Sequence, residues 1–328
     1  MTLHPSVAAV RLGVRRCLAD LARGAEPSAR RVVAVACSGG ADSTALLAAT
    51  VFEGGKAGWH VVGVTVDHGL QEGSDDHTAR VVERMAAIGA AETVAVRVTV
   101  ESAGLGPEAA AREARYAVLE EVAERLGAAA VLLGHTRDDQ AETVLLGLAR
   151  GSGPRSLAGM RRGHGRYRRP LLDVARADTV TACQVEGLEV WDDPHNADPA
   201  YLRTRVRARV LPVLEAELGP GVAETLARTA DQLRVDVEHL DDLAEQALAA
   251  LPDPLSVPAL EALPTAVRRR VLRRLALDAG APAGELFHEH VLAVDALLTD
   301  WHGQKWIDLP GHLRAARRDD RLHFVTHP

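Results

Sequence analysis

The chain has 328 residues, of which 47% are hydrophobic and 25% charged, and this ordinary globular composition excludes a disordered chain. The formal net charge of −7 argues against a nucleic-acid partner, but nearly all of the 38 basic residues are arginines that gather in local runs, and local patches matter more than the total. Three isolated cysteines, no apolar N-terminal segment and no long apolar stretch exclude a disulfide framework, a secretory leader and a membrane span, so we expect a soluble cytoplasmic protein.

The first half of the chain alternates continuous apolar runs with helical patterns. Strands are predicted at residues 31–37, 60–66, 93–100 and 129–134. Helices are predicted at residues 43–52, 76–88, 108–126 and 139–149. Strands that are hydrophobic throughout and separated by helices indicate a parallel sheet covered on both faces. The predicted fold class is therefore α/β, with a doubly wound parallel sheet.

The second half is predicted to form a smaller, mainly helical domain. A helix at 175–186 and a loop rich in Asp, Pro and Asn at 191–201 lead into it. Further helices are expected at 222–250, 264–279 and 288–299, followed by short strands within 305–325. Prolines and glycines at 212–221 place the boundary there. We therefore expect domains at 1–215 and 216–328.

A glycine-rich loop directly follows the first predicted strand. It consists of Ser38, Gly39, Gly40, Ala41, Asp42 and Ser43. The glycines let the backbone approach a polyanion, and the following helix N-terminus offers free N–H groups. The loop has neither the P-loop pattern nor the dinucleotide pattern. Asp42 repels a phosphate unless a cation bridges them, so Mg²⁺ is implied. A turn that only caps a helix is the alternative for this loop taken alone.

Three acids begin the helix that follows the fourth predicted strand. Asp138, Asp139 and Glu142 are spaced so that they can share one helix face, at the sheet edge where open α/β folds bind ligands. Clustered carboxylates suit a cation, and an acidic first turn that only complements the helix dipole is the alternative. On the preceding helix, Arg112 and Arg115 can point outward together and bind phosphate, or pair with neighbouring glutamates.

Taken together, the loop and several further motifs resemble the tRNA(Ile)-lysidine synthetases, a family of the N-type ATP pyrophosphatases in the PP-loop superfamily. The matching motifs lie, in chain order, at 38–43, 66–70, 111–116, 134–143, 150–153, 169–172, 192–196 and 203–207. The resemblance is dense over 30–215, and residues 255–325 are loosely similar to the family's smaller substrate-binding domain. Two positions depart from the family pattern: Gln71 stands where arginine is usual, and Thr204 where asparagine is usual.

The resemblance implies a Rossmann-like PP-loop domain and an ATP-dependent carbon–nitrogen ligase. In the implied reaction, O2 of the wobble cytidine in a tRNA(Ile) with a CAU anticodon attacks the α-phosphate of ATP and expels pyrophosphate. Free L-lysine then attacks C2 and releases AMP, which changes the decoding from Met to Ile. A homodimer is compatible with the resemblance, and no membrane partner is implied.

The resemblance also assigns roles to residues. It implies that ATP is bound by Ser38, Gly39, Gly40, Ala41, Asp42, Ser43 and Arg112. It implies Mg²⁺ at Asp42 and Asp138, and it implies that Asp42, Asp139, Glu142 and Arg205 carry the chemistry. The cation at the acids is either Mg²⁺ on ATP or the ammonium of lysine, and the resemblance does not separate the two.

Two other functions are alternatives for this sequence. Another PP-loop tRNA-modifying enzyme such as a thiolase would need cysteine pairs or an iron–sulfur cluster, against which three isolated cysteines argue. A non-catalytic nucleotide-binding regulatory module would need no second substrate site, against which the acidic cluster argues. The predicted helix at 264–279 leaves Arg269, Arg270, Arg273 and Arg274 outside, where they either bind tRNA phosphates or are only solvated.

Overall fold

The structure is a computed structural model that describes residues 2–24, 31–67, 74–98, 107–151, 153–191, 198–252 and 255–327, without the side chains of 107–111. Three motifs named above are affected, one of them, at 150–153, only at Ser152. The part of one motif from His68 onward, with Gln71 behind it, and the whole motif at 192–196 lie outside the described residues.

A mostly parallel sheet forms the centre of the N-terminal part. Its strands within the described residues are β1 (Val32–Ala36), β2 (His60–Asp67), β3 (Glu92–Arg97), β4 (Ala130–Leu132), β5 (Gly163–His164) and β6 (Tyr167–Arg168). Their order is β3-β2-β1-β4-β6-β5, and only the β5–β6 pair is antiparallel. The chain reverses its direction of progress between β1 and β4. At such a switch point the loops after the two strands diverge and leave a crevice for a ligand.

Helices cover both faces of this sheet. They are α1 (Pro5–Arg23), α2 (Ala41–Lys56), α3 (Ser74–Ile88), α4 (Pro107–Leu126), α5 (Arg137–Ala149) and α7 (Arg176–Val185), and a short helix α6 (Pro154–Leu157) lies between α5 and α7 in the sequence. Val33 and Val35 of β1 belong to one core with residues of α1, α2, α3 and α7, whereas Val32 and Ala34 belong to another with residues of α4. Successive side chains of a strand point to opposite faces. The predicted doubly wound α/β fold is thus confirmed.

Two features of this part were not predicted. Helix α1 buries Val7, Val10, Val14 and Leu18 at helical spacing, but the arginines between them obscure its apolar pattern in the sequence. One of these, Arg15, points outward and donates two hydrogen bonds of 2.9 Å to the Glu53 carboxylate. The strands β5 and β6 have two residues each, too few to produce a hydrophobic pattern.

Contacts divide the chain into two compact units, Met1–Thr143 with Met160–Ala227, and Val144–Gly159 with Arg228–Pro328. The remaining elements are α8 (Leu202–Arg205), a π-helical turn (Val206–Val210), α9 (Leu211–Leu218), α10 (Val222–Ala250), α11 (Val257–Glu261), α12 (Thr265–Asp278), α13 (His288–Thr299), β7 (Ile307–Leu309), β8 (Leu313–Arg318) and β9 (Arg321–Thr326). The second unit has its own aliphatic core, drawn from α10 to α13 and the three antiparallel strands. The limits 1–215 and 216–328 stay a prediction for separately folding domains.

No helix among the described residues combines the length and the apolarity that a membrane crossing requires.

Candidate active site

The glycine-rich loop connects β1 to α2 and is shaped to receive an anion. Gly39 has φ +85°, and a Cβ there would come within 2.9 Å of the Val81 side chain, so glycine is required. Gly40 is the N-cap of α2 and provides no side-chain cap. The Ser43 hydroxyl accepts a hydrogen bond from the Ser38 N–H at 3.2 Å and donates one to the Gly40 carbonyl at 3.0 Å. The free N–H groups of the α2 N-terminus therefore face the loop as an anion site.

Two aromatic side chains that sequence reasoning had not singled out cover this loop. The backbone N–H of Trp191 donates to the Gly39 carbonyl at 2.9 Å. The His77 Nε2 lies 3.3 Å from the Ser38 carbonyl oxygen, and the His77 and Trp191 ring centroids are 3.7 Å apart. These contacts fix the backbone of Ser38 and Gly39 in one conformation.

Three carboxylates, those of Asp42, Asp139 and Glu142, meet beside the loop and are called the carboxylate cluster below. Asp42 lies in the first turn of α2, and the other two lie on α5. The Thr136 N–H and hydroxyl donate to Asp139 Oδ2 at 2.7 and 2.9 Å, and these bonds fix its orientation. The Glu142 side chain is 0% exposed. A buried ionised carboxylate needs a paired cation.

Arg176, the first residue of α7, supplies that cation and connects the whole cluster. Its Nη2 donates to Asp139 Oδ1 at 2.6 Å, its Nε to Asp42 Oδ2 at 3.2 Å and its Nη1 to Glu142 Oε1 at 3.4 Å. The Arg176 backbone N–H donates to Asp138 Oδ2 at 2.8 Å. All four acids predicted for the site therefore contact Arg176. Sequence reasoning missed this residue, although a cation at a helix N-terminus, where the dipole disfavours it, signals an anionic partner.

A second guanidinium comes from the π-helical turn. Arg207 Nε donates to Glu142 Oε1 at 2.7 Å, and its Nη2 lies 3.2 Å from Glu142 Oε2 and 3.5 Å from Asp139 Oδ1. Arg205, the arginine predicted for catalysis, instead donates to the carbonyls of Pro199 and Ala200 at 2.8 and 2.9 Å. In the described arrangement Arg207, not Arg205, contacts the carboxylate cluster.

The environment moves several pKa values in this site. Burial raises the pKa of Asp42, although Arg176 and the hydroxyl donor Thr179 oppose the shift. Burial also opposes ionisation of Asp139, but the Arg176 charge and the Thr136 donors outweigh it and hold the pKa of Asp139 below its usual value. Arg176 stays charged, because its three carboxylate partners outweigh burial and raise its pKa. These shifts make Asp139 and Arg176 a charged pair at the centre of the cluster.

His135 lies at the end of β4, next to this network. Burial, with smaller contributions from the charges of Arg169, Arg112 and Arg203, lowers the pKa of His135 to about 4 against the opposing effect of Asp139. The buried Nδ1 of His135 has no hydrogen-bond partner among the described residues. Arg112, predicted to bind ATP, donates to the Tyr116 hydroxyl at 3.2 Å and is near enough to affect His135. A neutral imidazole among arginine charges is suited to a polar or anionic substrate group.

Comparisons with known proteins cover both parts of the chain. Residues 14–214 match the family model described as the PP-loop domain, and residues 255–323 match the model described as the TilS substrate binding domain. The tRNA(Ile)-lysidine synthase of Streptomyces coelicolor is 55% identical, over 97% of this chain and 98% of that protein. The enzyme of the same name from Thermobifida fusca is 54% identical over 97% of both chains. The chain belongs to the tRNA(Ile)-lysidine synthase family.

Similarity extends to a relative of lower sequence identity and, for the fold alone, to a solved structure. The tRNA(Ile)-lysidine synthase of Mycobacterium bovis is 48% identical over 90% of this chain and 91% of that protein. A solved structure, the U34-tRNA thiolase NcsA from Methanococcus maripaludis with its [4Fe-4S] cluster, is similar with a TM-score of 0.54 at 17% identity. The similarity covers 70% of this chain and 79% of the thiolase. At this identity it shows the shared fold alone.

The cysteines of this member of the tRNA(Ile)-lysidine synthase family have the environment of core side chains. Cys17, Cys37 and Cys183 are free thiols, and burial raises the pKa of all three, to about 12 for Cys17 and Cys183. A thiol becomes a good nucleophile or metal ligand only as the thiolate. The environment of the cysteines therefore gives no support to sulfur transfer by this chain.

The acids of the site suit Mg²⁺ only in company with a nucleotide. Among the described residues, no three His, Cys, Asp or Glu side chains are grouped to hold an ion. Mg²⁺ is commonly held by one or two carboxylates together with substrate phosphates, and it keeps several waters. Asp42 offers hard oxygen donors within the glycine-rich loop. Each of its oxygens has two lone pairs, so the bonds from Arg176 and Thr179 are compatible with a cation there.

Proposed function

We propose that this chain ligates L-lysine to C2 of the wobble cytidine in a tRNA(Ile) with a CAU anticodon. ATP activates the base as an adenylate, and pyrophosphate and AMP are released. The observation that carries the proposal is the set of contacts made by Arg176. It pairs with Asp42 of the anion-binding loop and with Asp139 and Glu142 of α5, so a nucleotide site and a site for a second, cationic substrate share one network.

ATP binding is assigned to the loop from Ser38 to Ser43, where the glycine backbone and the α2 N-terminus bind the phosphates. Mg²⁺ on the ATP phosphates would be held by Asp42, with Asp138 as the second candidate, and would neutralise the charge that develops on the phosphates.

Arg112 and Arg205 are proposed to contact the phosphates or the tRNA once these are bound. The uncharged His135, with its unpartnered Nδ1, suits a polar group of the base or its adenylate.

The lysine site is assigned to Asp139 and Glu142. The ε-amine of free lysine has a pKa of about 10.4, so it enters as an ammonium and must lose a proton before it attacks C2. A buried carboxylate binds the ammonium and can accept that proton. We therefore expect Glu142→Gln to slow AMP formation by about 10²-fold or more while tRNA affinity is kept. Glu121→Gln, which changes an exposed glutamate of α4 outside the matching motifs, is the control that should leave turnover unchanged.

One assay tests the proposed reaction. The protein is incubated with ATP, L-lysine and tRNA, each is omitted in turn, and AMP and the modified nucleoside are measured. AMP formation that requires both tRNA and lysine, with lysidine in the digested tRNA, supports the proposal. Sulfide-dependent turnover would assign the chain to the thiolases, and nucleotide binding without turnover would make it a regulatory module.

The remaining parts of the proposal follow from the tRNA substrate. A tRNA-modifying enzyme acts where tRNA matures, so we place the chain in the cytoplasm. A homodimer remains a prediction that light scattering of the purified protein checks.

A further inference from the structure

The Glu142 carboxylate, proposed to bind the ammonium group of lysine, is already paired with two arginines. Both Glu142 oxygens are already engaged: Oε1 accepts from Arg207 Nε at 2.7 Å and from Arg176 Nη1 at 3.4 Å, and Oε2 accepts from Arg207 Nη2 at 3.2 Å. The Glu142 side chain is 0% exposed. While both guanidinium groups keep these positions, an ammonium group from the solvent therefore cannot reach the Glu142 carboxylate.

The two guanidinium groups are held very differently. Arg176 pairs with all three members of the carboxylate cluster, and its own backbone N–H is tied to Asp138. Arg207 depends on Glu142 for its short contacts, since its distance to Asp139 Oδ1 is 3.5 Å. The Arg207 side chain is also more exposed, at 35% against 23% for Arg176. Moving the Arg207 side chain away from the cluster therefore breaks fewer ion pairs than moving Arg176 would. It also exposes less buried surface to water.

The backbone under Arg207 is irregular as well. Arg207 lies in the π-helical turn Val206–Val210, between α8 and α9. Short π-helical segments are less stable than α-helix and occur frequently at functional sites. A change of this turn toward α-helical geometry would rotate the direction of the Arg207 side chain, while Arg176 begins a regular α-helix.

From these differences we propose that Arg207 is a placeholder cation that occupies the ammonium site at Glu142 until lysine displaces it. This inference rests on the proposed function, because lysine is the cation that enters. The exchange replaces one positive charge by another, so Glu142 keeps a cation in both states and no buried charge is left unpaired. Arg207 is thus a positioning residue that sets the affinity and the timing of lysine binding.

Competition between Arg207 and lysine predicts a different result of removing Arg207 than a direct attraction of the substrate by Arg207 does. If Arg207 competes with lysine, removal of Arg207 raises the apparent affinity for lysine, because lysine no longer has to displace the arginine from Glu142. Arg207→Gln should therefore lower the KM for lysine by about tenfold, even if kcat falls. Arg207→Lys keeps the charge but loses the paired donors, and its KM should lie between the two. Arg209→Gln changes an exposed arginine of the same turn and is the matched control.

A second readout needs neither tRNA nor turnover. Arg207→Gln leaves less positive charge next to Glu142, so the Tm of the variant should be lower than that of the wild type. L-lysine should raise the Tm of the variant more than that of the wild type. Methylammonium chloride, which carries only the reacting cation, should have the same preference at higher concentration. Adding Glu142→Gln to Arg207→Gln should remove the extra stabilisation by both compounds.

The outcomes separate this inference from the proposed function. A KM for lysine that rises in Arg207→Gln, together with equal Tm shifts in variant and wild type, would overturn the exchange even in an active lysidine-forming enzyme. Selective stabilisation of Arg207→Gln by methylammonium, in a chain without lysine-dependent turnover, would support the exchange and reject lysine as the substrate. If Arg207→Gln does not fold, the same comparisons are made with Arg207→Lys.

Discussion

Gly134 lies directly against Asp42: a Cβ added to Gly134 would come within 3.1 Å of the Asp42 carbonyl carbon and of the Ser43 nitrogen. This contact joins the end of β4 to the first turn of α2, the two elements that flank the switch point of the sheet. The neighbours are backbone atoms, which cannot rotate away. Glycine at this position therefore determines how closely the segment after β4 approaches the glycine-rich loop.

The variant Gly134→Ala should displace the N-terminus of α2 by a few tenths of an ångström. We expect AMP formation to slow by about tenfold and the free energy of unfolding to fall by about 1–3 kcal/mol. Gly55→Ala is the control, because a Cβ there has nothing within 4 Å in α2, and it should stabilise the chain by about 0.5–1 kcal/mol without changing turnover. Unchanged kinetics in Gly134→Ala would mean that the loop tolerates the displacement.

Much of the fold could be predicted because its signal is local. The strands β1 and β4 are continuous runs of apolar residues, β2 is mostly apolar, and α5 and α10 have the bounds that helical patterns indicate to within two residues. Helix α1 has the same kind of apolar spacing but carries arginines on its other positions, which hid it. The paired strands β5 and β6 exist only through their contacts with β4, and no short pattern encodes such contacts.

The site was predictable only in part, for the same physical reason. Asp42, Asp139 and Glu142 follow strands of a parallel sheet, and the carboxyl ends of those strands meet at one edge, so their proximity could be expected. Arg176 and Arg207 reach the cluster from elements that are distant in sequence. Their pairing depends on the packing of α7 and of the π-helical turn. Arg205 ends α8 and Arg207 belongs to the π-helical turn, and two positions along a helical backbone advance the side-chain direction by about half a turn, so the two arginines point to different sides.

Asp42→Asn should separate chemistry from tRNA binding. The amide keeps the shape of the side chain but removes the charge that faces Arg176 and the proposed Mg²⁺, so AMP formation should fall by about 10²-fold or more. Filter binding of tRNA across a salt series should give the wild-type slope. Asp76→Asn, which changes an exposed acid in the first turn of α3, is the control with full activity. An active Asp42→Asn would reject the metal assignment.

His135 should make the stability depend on pH. Its pKa is lowered from 6.5 to about 4 by burial, so between these values the unfolded chain binds a proton that the folded chain does not. Stability therefore falls as the pH is lowered through this window, by about 2–3 kcal/mol. Urea unfolding of His135→Gln and wild type at pH 4.5 and 7 checks this, with the exposed His288→Gln as control. Equal pH dependence in wild type and His135→Gln would show that His135 ionises normally.

The last prediction concerns the arginines of α12, for which the sequence left open whether they bind tRNA phosphates or are only solvated. The structure distinguishes two of them. Arg270 Nε pairs with Asp241 at 3.0 Å, its side chain is 22% exposed, and Asp241 also holds Arg155. Within the part of the chain that the structure describes, Arg274 pairs with Asp278, one turn away on the same helix, and is 57% exposed. Exposed pairs of this kind contribute little, so Arg274 can exchange Asp278 for a phosphate, whereas Arg270 belongs to the structure of the second unit.

We therefore expect the two variants to have opposite effects. Arg274→Gln should reduce the slope of log affinity for tRNA against log salt by about 0.7 to 0.9, the value for one lost phosphate contact, and should raise the KM for tRNA while kcat is kept. Arg270→Gln should leave that slope unchanged and lower the Tm, since it leaves the Asp241 carboxylate with one cation fewer. Filter binding over a salt series and thermal melting of both proteins check the pair. An unchanged slope in Arg274→Gln would mean that this face of α12 is only solvated, and a reduced slope in Arg270→Gln would mean that Asp241 releases its arginine to the tRNA.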